Sequence, residues 1–345
     1  MDFNHFLSSY YPDPTYGGKR LYADMVEQAI LADKLGYRGV TVPEHHLINV
    51  LITPSPLQMA VKVASVTEHV EITTSVVVLP LHDMRILAGE LVQADILTDE
   101  RLILGVGRGA FAYETARMGV PIEDTREKFD ESLNLLLALL SEEEVSWSGK
   151  YYNFESLTIM PRPVRELPIM IAALVEPAIA ACTKRGFSIQ TTPLSATPEV
   201  FKKQIMAHKN AKAEMGAAGE GLRILSSRVG YCARDEADAR KKLELAYDYY
   251  QRFDNVFTGP GVVKNGCIEA LPREQTIEAL EQNLLICTAD EMVERLAFFD
   301  EIGIDEVILN FNIGEEQAET LEAMERFARD VMPHFQPTIV RQSAR

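Results

Sequence analysis

Residues 41–47 read Thr-Val-Pro-Glu-His-His-Leu, one carboxylate and two imidazoles at the end of the apolar run Gly-Tyr-Arg-Gly-Val-Thr-Val. Imidazole is the side chain that titrates nearest neutral pH, so a histidine at a strand end is a candidate general acid or base. Successive side chains of a strand point to opposite faces. His45 and His46 therefore cannot share one direction if the strand continues through them: one faces a site while the other packs or meets solvent. Glu44 is placed either to orient a histidine or to bind separately.

A second constellation is Gly-Val-Gly-Arg-Gly at 105–109. Glycines admit close approach of backbone to a ligand, and Arg108 adds a planar fork suited to phosphate oxygens. By itself this is a weak motif, equally consistent with a tight strand exit and a solvent-facing arginine. His5, His45 or His46, and His82 fall on three consecutive strand candidates, which raises a metal site as a rival. The first strand lacks a His-x-His pair, no cysteine joins the set, and the later strand ends carry no dense carboxylates; no metal is expected. There is no Gly-x-Ser-x-Gly nucleophile elbow, and Gly-Lys-Arg at 18–20 lacks the spacing of a phosphate loop.

The elements that must position these residues alternate strand and helix. Apolar or β-branched runs at 2–8, 36–42, 70–80, 101–107, 168–174, 187–194, 222–233 and 305–311 predict eight strands. Helices are expected at 19–35, 55–67, 83–98, 123–140, 176–185, 197–215, 235–252, 275–284, 289–302 and 314–332. Short strands buried on both faces and separated by helices belong to parallel sheets. Eight of them in 345 residues favour a closed (β/α)8 TIM barrel over an open doubly wound sheet. The first strand candidate runs into Ser-Ser-Tyr-Tyr-Pro-Asp-Pro, which lacks the glycine-rich turn of a dinucleotide fold. One domain over 1–335 is expected, with insertions at about 107–122, 141–166 and 253–275 and a C-terminal tail at 336–345. The segment 253–275, with Gly-Pro-Gly and Asn-Gly, is expected to be a mobile lid. Active sites of such barrels lie at the C-terminal ends of the strands, where Phe6, Glu44, His45 and Arg108 fall, with Ser75 on the third strand.

Composition narrows the partners. A net charge of −17, from 34 basic and 51 acidic residues, excludes a broad nucleic-acid or anionic-membrane surface. Four separated cysteines (Cys182, Cys232, Cys267, Cys287) without a Cys-x-x-Cys pair indicate reduced, cytoplasmic usage. No secretory signal is expected in the first residues, and no apolar run reaches the roughly 18 residues of a membrane-spanning helix.

Taken together, 32–47, 72–83, 93–109, 160–173 and 287–311 occur in an order and spacing that resembles the bacterial luciferase-like flavin-dependent monooxygenases. The resemblance implies a luciferase-like barrel with reduced FMN at its C-terminal mouth, supplied by a separate flavin reductase, and oxygen adding at the flavin C4a position. It implies His45 as the catalytic histidine and Glu44 as the adjacent acidic residue near the flavin. It places a non-prolyl cis peptide at Ser75–Val76 beside the ring system, Gly107 where the luciferase has a reactive cysteine, and Arg108 on the phosphate, with Phe6 and Gly109 completing the cofactor contacts. It further implies a homodimer, an unidentified small organic substrate with O2, and 253–275 as the closing loop. Two departures stand out: Leu174-Val175-Glu176-Pro177 replaces the family's Glu, Ser and Thr at the phosphate turn, and Met84 replaces a proline. The phosphate is then left to Arg108 and helix N-terminal N–H groups. The same barrel also carries deazaflavin-dependent hydride transfer, an alternative along with a non-catalytic flavin binder.

Overall fold

Strand formation starts from the eight apolar runs. In the computed structural model, which describes residues 1–335, these become β1 (Asp2–Phe6), β2 (Gly39–Val42), β3 (Glu71–Thr74), β4 (Leu102–Gly107), β5 (Ile169–Ala172), β6 (Ser188–Thr191), β7 (Ile224–Ala233) and β8 (Glu306–Asn310). The expected tail 336–345 lies outside the described residues. Every neighbouring pair in the order β1 to β8 is parallel, and β8 pairs with β1 from Asp2 opposite Glu306 to His5 opposite Leu309, which closes the ring. The fold is an eight-stranded parallel barrel with helices outside it.

The helices are α1 (Gly18–Leu35), α2 (Pro56–Ala64), α3 (Met84–Leu97), α4 (Ala112–Arg117), α5 (Thr125–Ser141), α6 (Glu176–Lys184), α7 (Pro198–Met215), α8 (Glu236–Phe257), α9 (Ile277–Asn283), α10 (Ala289–Ile302) and α11 (Gln317–Asp330). Their ends follow local chemistry. Asp83 caps α3 by accepting the Arg85 N–H, Asp235 caps α8 through the Asp238 N–H, and Gly36 ends α1 in the left-handed region at φ 86°.

Alternation along the strands sorts two layers. Phe3 joins the large apolar layer between barrel and helices, with Val40, Ile72, Ile224 and Val307, all fully buried. Phe6, Met170, Leu225 and Ile308 turn inward and meet the aromatic residues of the mouth. Each such side chain contributes about 1.5–3 kcal/mol on burial. At the N-terminal end, Arg38 and Arg223 pair with Asp2 and Glu306, with Glu71 also held by Arg38, and so plug the barrel opposite the site.

Three local features differ from the sequence-based expectation. The run 70–80 is interrupted: β3 stops at Thr74, and the strand resumes as Val77–Val78 against Val106–Gly107. A short strand, Leu285–Thr288, was not anticipated; it pairs with Gly230–Ala233 where β7 outruns its barrel neighbours. The segment 253–275 is only partly loop. α8 continues to Phe257, and Val263–Lys264 pairs antiparallel with Cys267–Ile268 across Asn265–Gly266. The insertion at 141–166, by contrast, holds the short extended segments its sequence suggests, paired as a hairpin of Val145–Ser148 with Asn153–Leu157.

Candidate active site

β2 ends at Val42, and the next residues deliver Glu44, His45 and His46 to the mouth. Glu44 is buried, and its carboxylate accepts three hydrogen bonds. His46 Nε2 and His82 Nε2 each donate to Oε1 at 2.8 Å, and the Val78 N–H donates to Oε2 at 2.7 Å. Burial alone would raise this carboxyl's pKa; the donors from His46, His82 and Val78 outweigh it and hold the value below the ordinary range. The hydrogen bond to Glu44 in turn raises the His46 pKa, with burial opposing.

His45 has a different partner. Its Nδ1 lies 2.9 Å from Glu114 Oε2, and the other Glu114 oxygen accepts the His46 N–H. The imidazole stacks on Phe111, with ring centroids 4.4 Å apart and planes 18° apart. Glu114 sits on α4 and is 5% exposed. Sequence reasoning offered Glu44 as the group that might orient His45; that role falls to Glu114, because Glu44 is already engaged by three other donors. Nothing in the pattern around Glu114 marks it, since only the placing of α4 against the residues that follow β2 brings it there. With Nδ1 committed, His45 Nε2 has no protein partner among the described residues.

The remaining expected residues gather beside this pair. The Ser75–Val76 peptide bond is cis. Gly107, on β4, is next to it: a Cβ at that position would lie 2.6 Å from Val76 Cγ2. Gly109 has φ +81°, a conformation side chains resist. Phe6 lies inward in the apolar mouth cluster and is 6% exposed. Arg108 donates to Thr125 Oγ1 at 3.3 Å and has no carboxylate partner among the described residues. Burial and neighbouring Arg126 lower its pKa. α6 begins at Glu176 after Val175, whose side chain caps nothing; Pro177 has no N–H, so the open N–H groups of its first turn are those of Glu176 and Ala178. His5 is not part of the site. Its Nε2 meets Gln28 Oε1 at 3.0 Å in the layer behind the barrel wall, so the three-strand histidine set is not assembled.

The mouth is roofed by aromatics from α8. Phe253 and Phe257 stand edge-on to Phe111 at 5.5 and 6.4 Å, and Tyr249 stands edge-on to Tyr10 at 5.1 Å. The hairpin after α8 docks through Asn49, whose Oδ1 accepts the Ile268 N–H at 2.9 Å while its Nδ2 donates to Tyr11 O. Asn255 fastens the hairpin's base, accepting from the Val262 N–H and donating to Glu269 O. The sequence signal for this hairpin was the Asn-Gly pair, a strong turn former.

The arrangement offers a wall at Ser75–Val76 closed against glycine, one cation suited to a phosphate, and an oriented imidazole under an apolar roof. A planar phosphorylated cofactor such as FMN fits these features: the missing Cβ at Gly107 lets the Val76 side chain lie flat against β4, and Arg108 has no carboxylate partner among the described residues.

Comparison with known proteins bears on the family and the fold. The luciferase-like monooxygenase family model matches residues 1–306. The oxygenase component of flavin-dependent trigonelline monooxygenase from Acinetobacter baylyi is 30% identical over 328 residues, 92% of this chain and 91% of that protein. An F420-dependent glucose-6-phosphate dehydrogenase from Intrasporangium calvum is 25% identical over 334 residues, 90% of this chain and 94% of that protein. The crystal structure of monooxygenase RslO1 from Streptomyces bottropensis superposes with a TM-score of 0.83 at 24% identity, covering 97% of this chain and 100% of that one.

Proposed function

The chain belongs to the luciferase-like monooxygenase family, and from that premise we propose that it is the oxygenase component of a two-component, FMN-dependent monooxygenase acting on a small organic substrate. The observation that carries this reading is the His45–Glu114 pair, stacked on Phe111. A relative named as an oxygenase component supports a transient reductase partner as the source of reduced FMN, with O2 as co-substrate. On this reading, residues 1–335 form one barrel domain and the enzyme is a cytoplasmic homodimer.

Each residue has a task in this reading. Arg108 and the open N–H groups of α6 would hold the phosphate, and Phe6, Ser75, Val76, Gly107 and Gly109 would line the ring system. Bound reduced FMN supplies the electrons that activate O2. His45 Nε2 takes or returns a proton at the reacting centre, while Glu114 fixes its ring and its Nδ1–H. Glu44 is a positioning residue: it ties the ends of β2 and β3 together through His46, His82 and Val78. Phe253 and Phe257 exclude water from the mouth.

A second reading, deazaflavin-dependent hydride transfer, is favoured by the F420-dependent relative. One experiment separates the two. The protein is mixed with reduced FMN without oxygen, oxygen is added, and the return of oxidised-flavin absorbance is followed. A return at least tenfold slower than for free reduced FMN supports the oxygenase. A return at the protein-free rate, with tight binding of the deazaflavin instead, supports the hydride-transfer reading.

A further inference from the structure

Away from His45, two arginines are buried with more positive charge than their surroundings balance. Arg228 leaves β7 just above the point where β6 ends, since Thr191 is opposite Ser226. It is 4% exposed and lies over the paired rings of Phe201 and Phe299, 5.8 Å from each. Its Nη1 donates to Leu194 O at 3.3 Å and its Nη2 to Asn283 O. Its Nε is buried with no partner, and no carboxylate pairs with it among the described residues. Burial pushes its pKa down to about 10, so it still carries its charge at neutral pH. A buried charge without a counter-ion is costly.

Arg273 approaches from the lid segment. Its side chain is 7% exposed, and its guanidinium lies 4.9 Å from the centre of the Tyr250 ring. Nη2 reaches Gln275 Oε1 at 2.7 Å, Asp254 Oδ2 at 3.1 Å and Ser195 Oγ at 3.2 Å. Nε and Nη1 are buried and have no partner. The two arginines meet at one place. They hold adjacent residues, Leu194 and Ser195, and both charges act on the Tyr250 phenol. Asn283 links them again, taking Arg228 on its carbonyl and donating to Ser195 O.

Two guanidinium groups against one carboxylate, Asp254, leave one positive charge and three N–H-bearing nitrogens unmatched. One carboxylate ion supplies one negative charge and about four acceptor positions. We propose that Arg228 and Arg273 form an oxyanion-binding site for the carboxylate of a small organic acid. Because Arg228 belongs to the barrel wall and Arg273 to the segment after α8, the anion bridges the two. An aromatic layer runs from this site to His45: Tyr250 to Phe253 at 6.2 Å, Phe253 to Phe111 at 5.5 Å, and Phe111 to His45 at 4.4 Å. That layer suits an acid with an apolar body. Treating this acid as the substrate rests on the monooxygenase reading; the anion site itself does not.

The test is calorimetric titration of the full chain at low salt with benzoate, benzamide and inorganic phosphate, without flavin. Benzoate is expected to bind at least tenfold tighter than benzamide and tighter than phosphate. Arg273→Gln, a change on the lid segment, is expected to weaken benzoate at least tenfold, and Arg228→Met to weaken it further, with circular dichroism confirming that each variant is folded. Equal affinity for benzoate and benzamide, or benzoate binding unchanged in Arg273→Gln, overturns the site. Phosphate binding at least as tight as benzoate overturns the organic-acid assignment. Benzoate binding with flavin reoxidation at the protein-free rate leaves the anion site standing while the monooxygenase reading fails. Slowed flavin reoxidation with no charge discrimination does the reverse.

Discussion

A histidine serves as a proton shuttle when one ring nitrogen is held and the other is free, and His45 meets both conditions through Glu114. His45→Ala is expected to keep FMN binding within a few-fold while oxygenation falls by about 100-fold or more, in the range of lost general acid–base catalysis. Turnover within a few-fold of wild type would refute the assigned role. Glu114→Gln keeps the shape of the contact but removes its charge. It is expected to lower kcat about tenfold with little change in KM. A rise in KM of that size with kcat unchanged would refute the positioning role. His45 was legible in the sequence from its place at a strand end and from the surrounding motif. Glu114 was not, because its partnership is created by α4 meeting the segment after β2, a contact between residues 69 positions apart. The unmatched charge on Arg228 was invisible for a related reason: sequence shows charge, while burial and counter-ions appear only after packing.

At the level of elements, the close approach of strands β3 and β4 sets the wall of the mouth. Gly105 receives the Thr74 side chain on its N–H and carbonyl, and a Cβ there would collide with the Thr74 carbonyl oxygen. Gly105→Ala is therefore expected to destabilise the barrel by about 1–3 kcal/mol or more, measured by urea unfolding. Gly107→Ala faces a side chain that can shift, Val76, so its expected effect is local. FMN affinity should drop at least tenfold with the unfolding midpoint nearly unchanged, and an unaltered affinity would show that this surface does not face the ring. The eight barrel strands were readable because each is a short apolar run between helices of clear period. Leu285–Thr288 was not, since its four residues follow α9 directly and lead into α10, leaving no turn signal to set it apart. The hairpin at Asn265–Gly266 carried its signal in plain view, but the glycines and prolines around it read as loop.

For the whole molecule, buried titratable groups set opposing pH dependences. Burial lowers the pKa of His5 and His208 to about 4. The unfolded chain therefore binds more protons between 6.5 and 4, and this stability, full above pH 6.5, is lost as pH falls toward 4. Burial raises Glu315 to about 7. There the folded chain keeps a proton that the unfolded chain releases, so this stability, full below 4.5, is lost as pH rises through 7. Each group can tilt the profile by about 1.4 kcal/mol per pH unit at most. Between pH 4.5 and 6.5, His208→Gln should make unfolding free energy fall more with rising pH than in wild type, and Glu315→Gln should make it rise more. Tilts of the same sign in both variants would refute the assignment. The (β/α)8 class was legible from strand count and chain length. Its closure, by contrast, is a property of the finished ring, in which the strand at 2–6 is joined to the strand at 306–310. During synthesis that first strand leaves the ribosome about 300 residues ahead of its second neighbour, and one of its hydrogen-bonding edges stays open until then. The ring is complete only when residues 306–310 arrive, so the edge most prone to wrong pairing is exposed while all the intervening barrel is made.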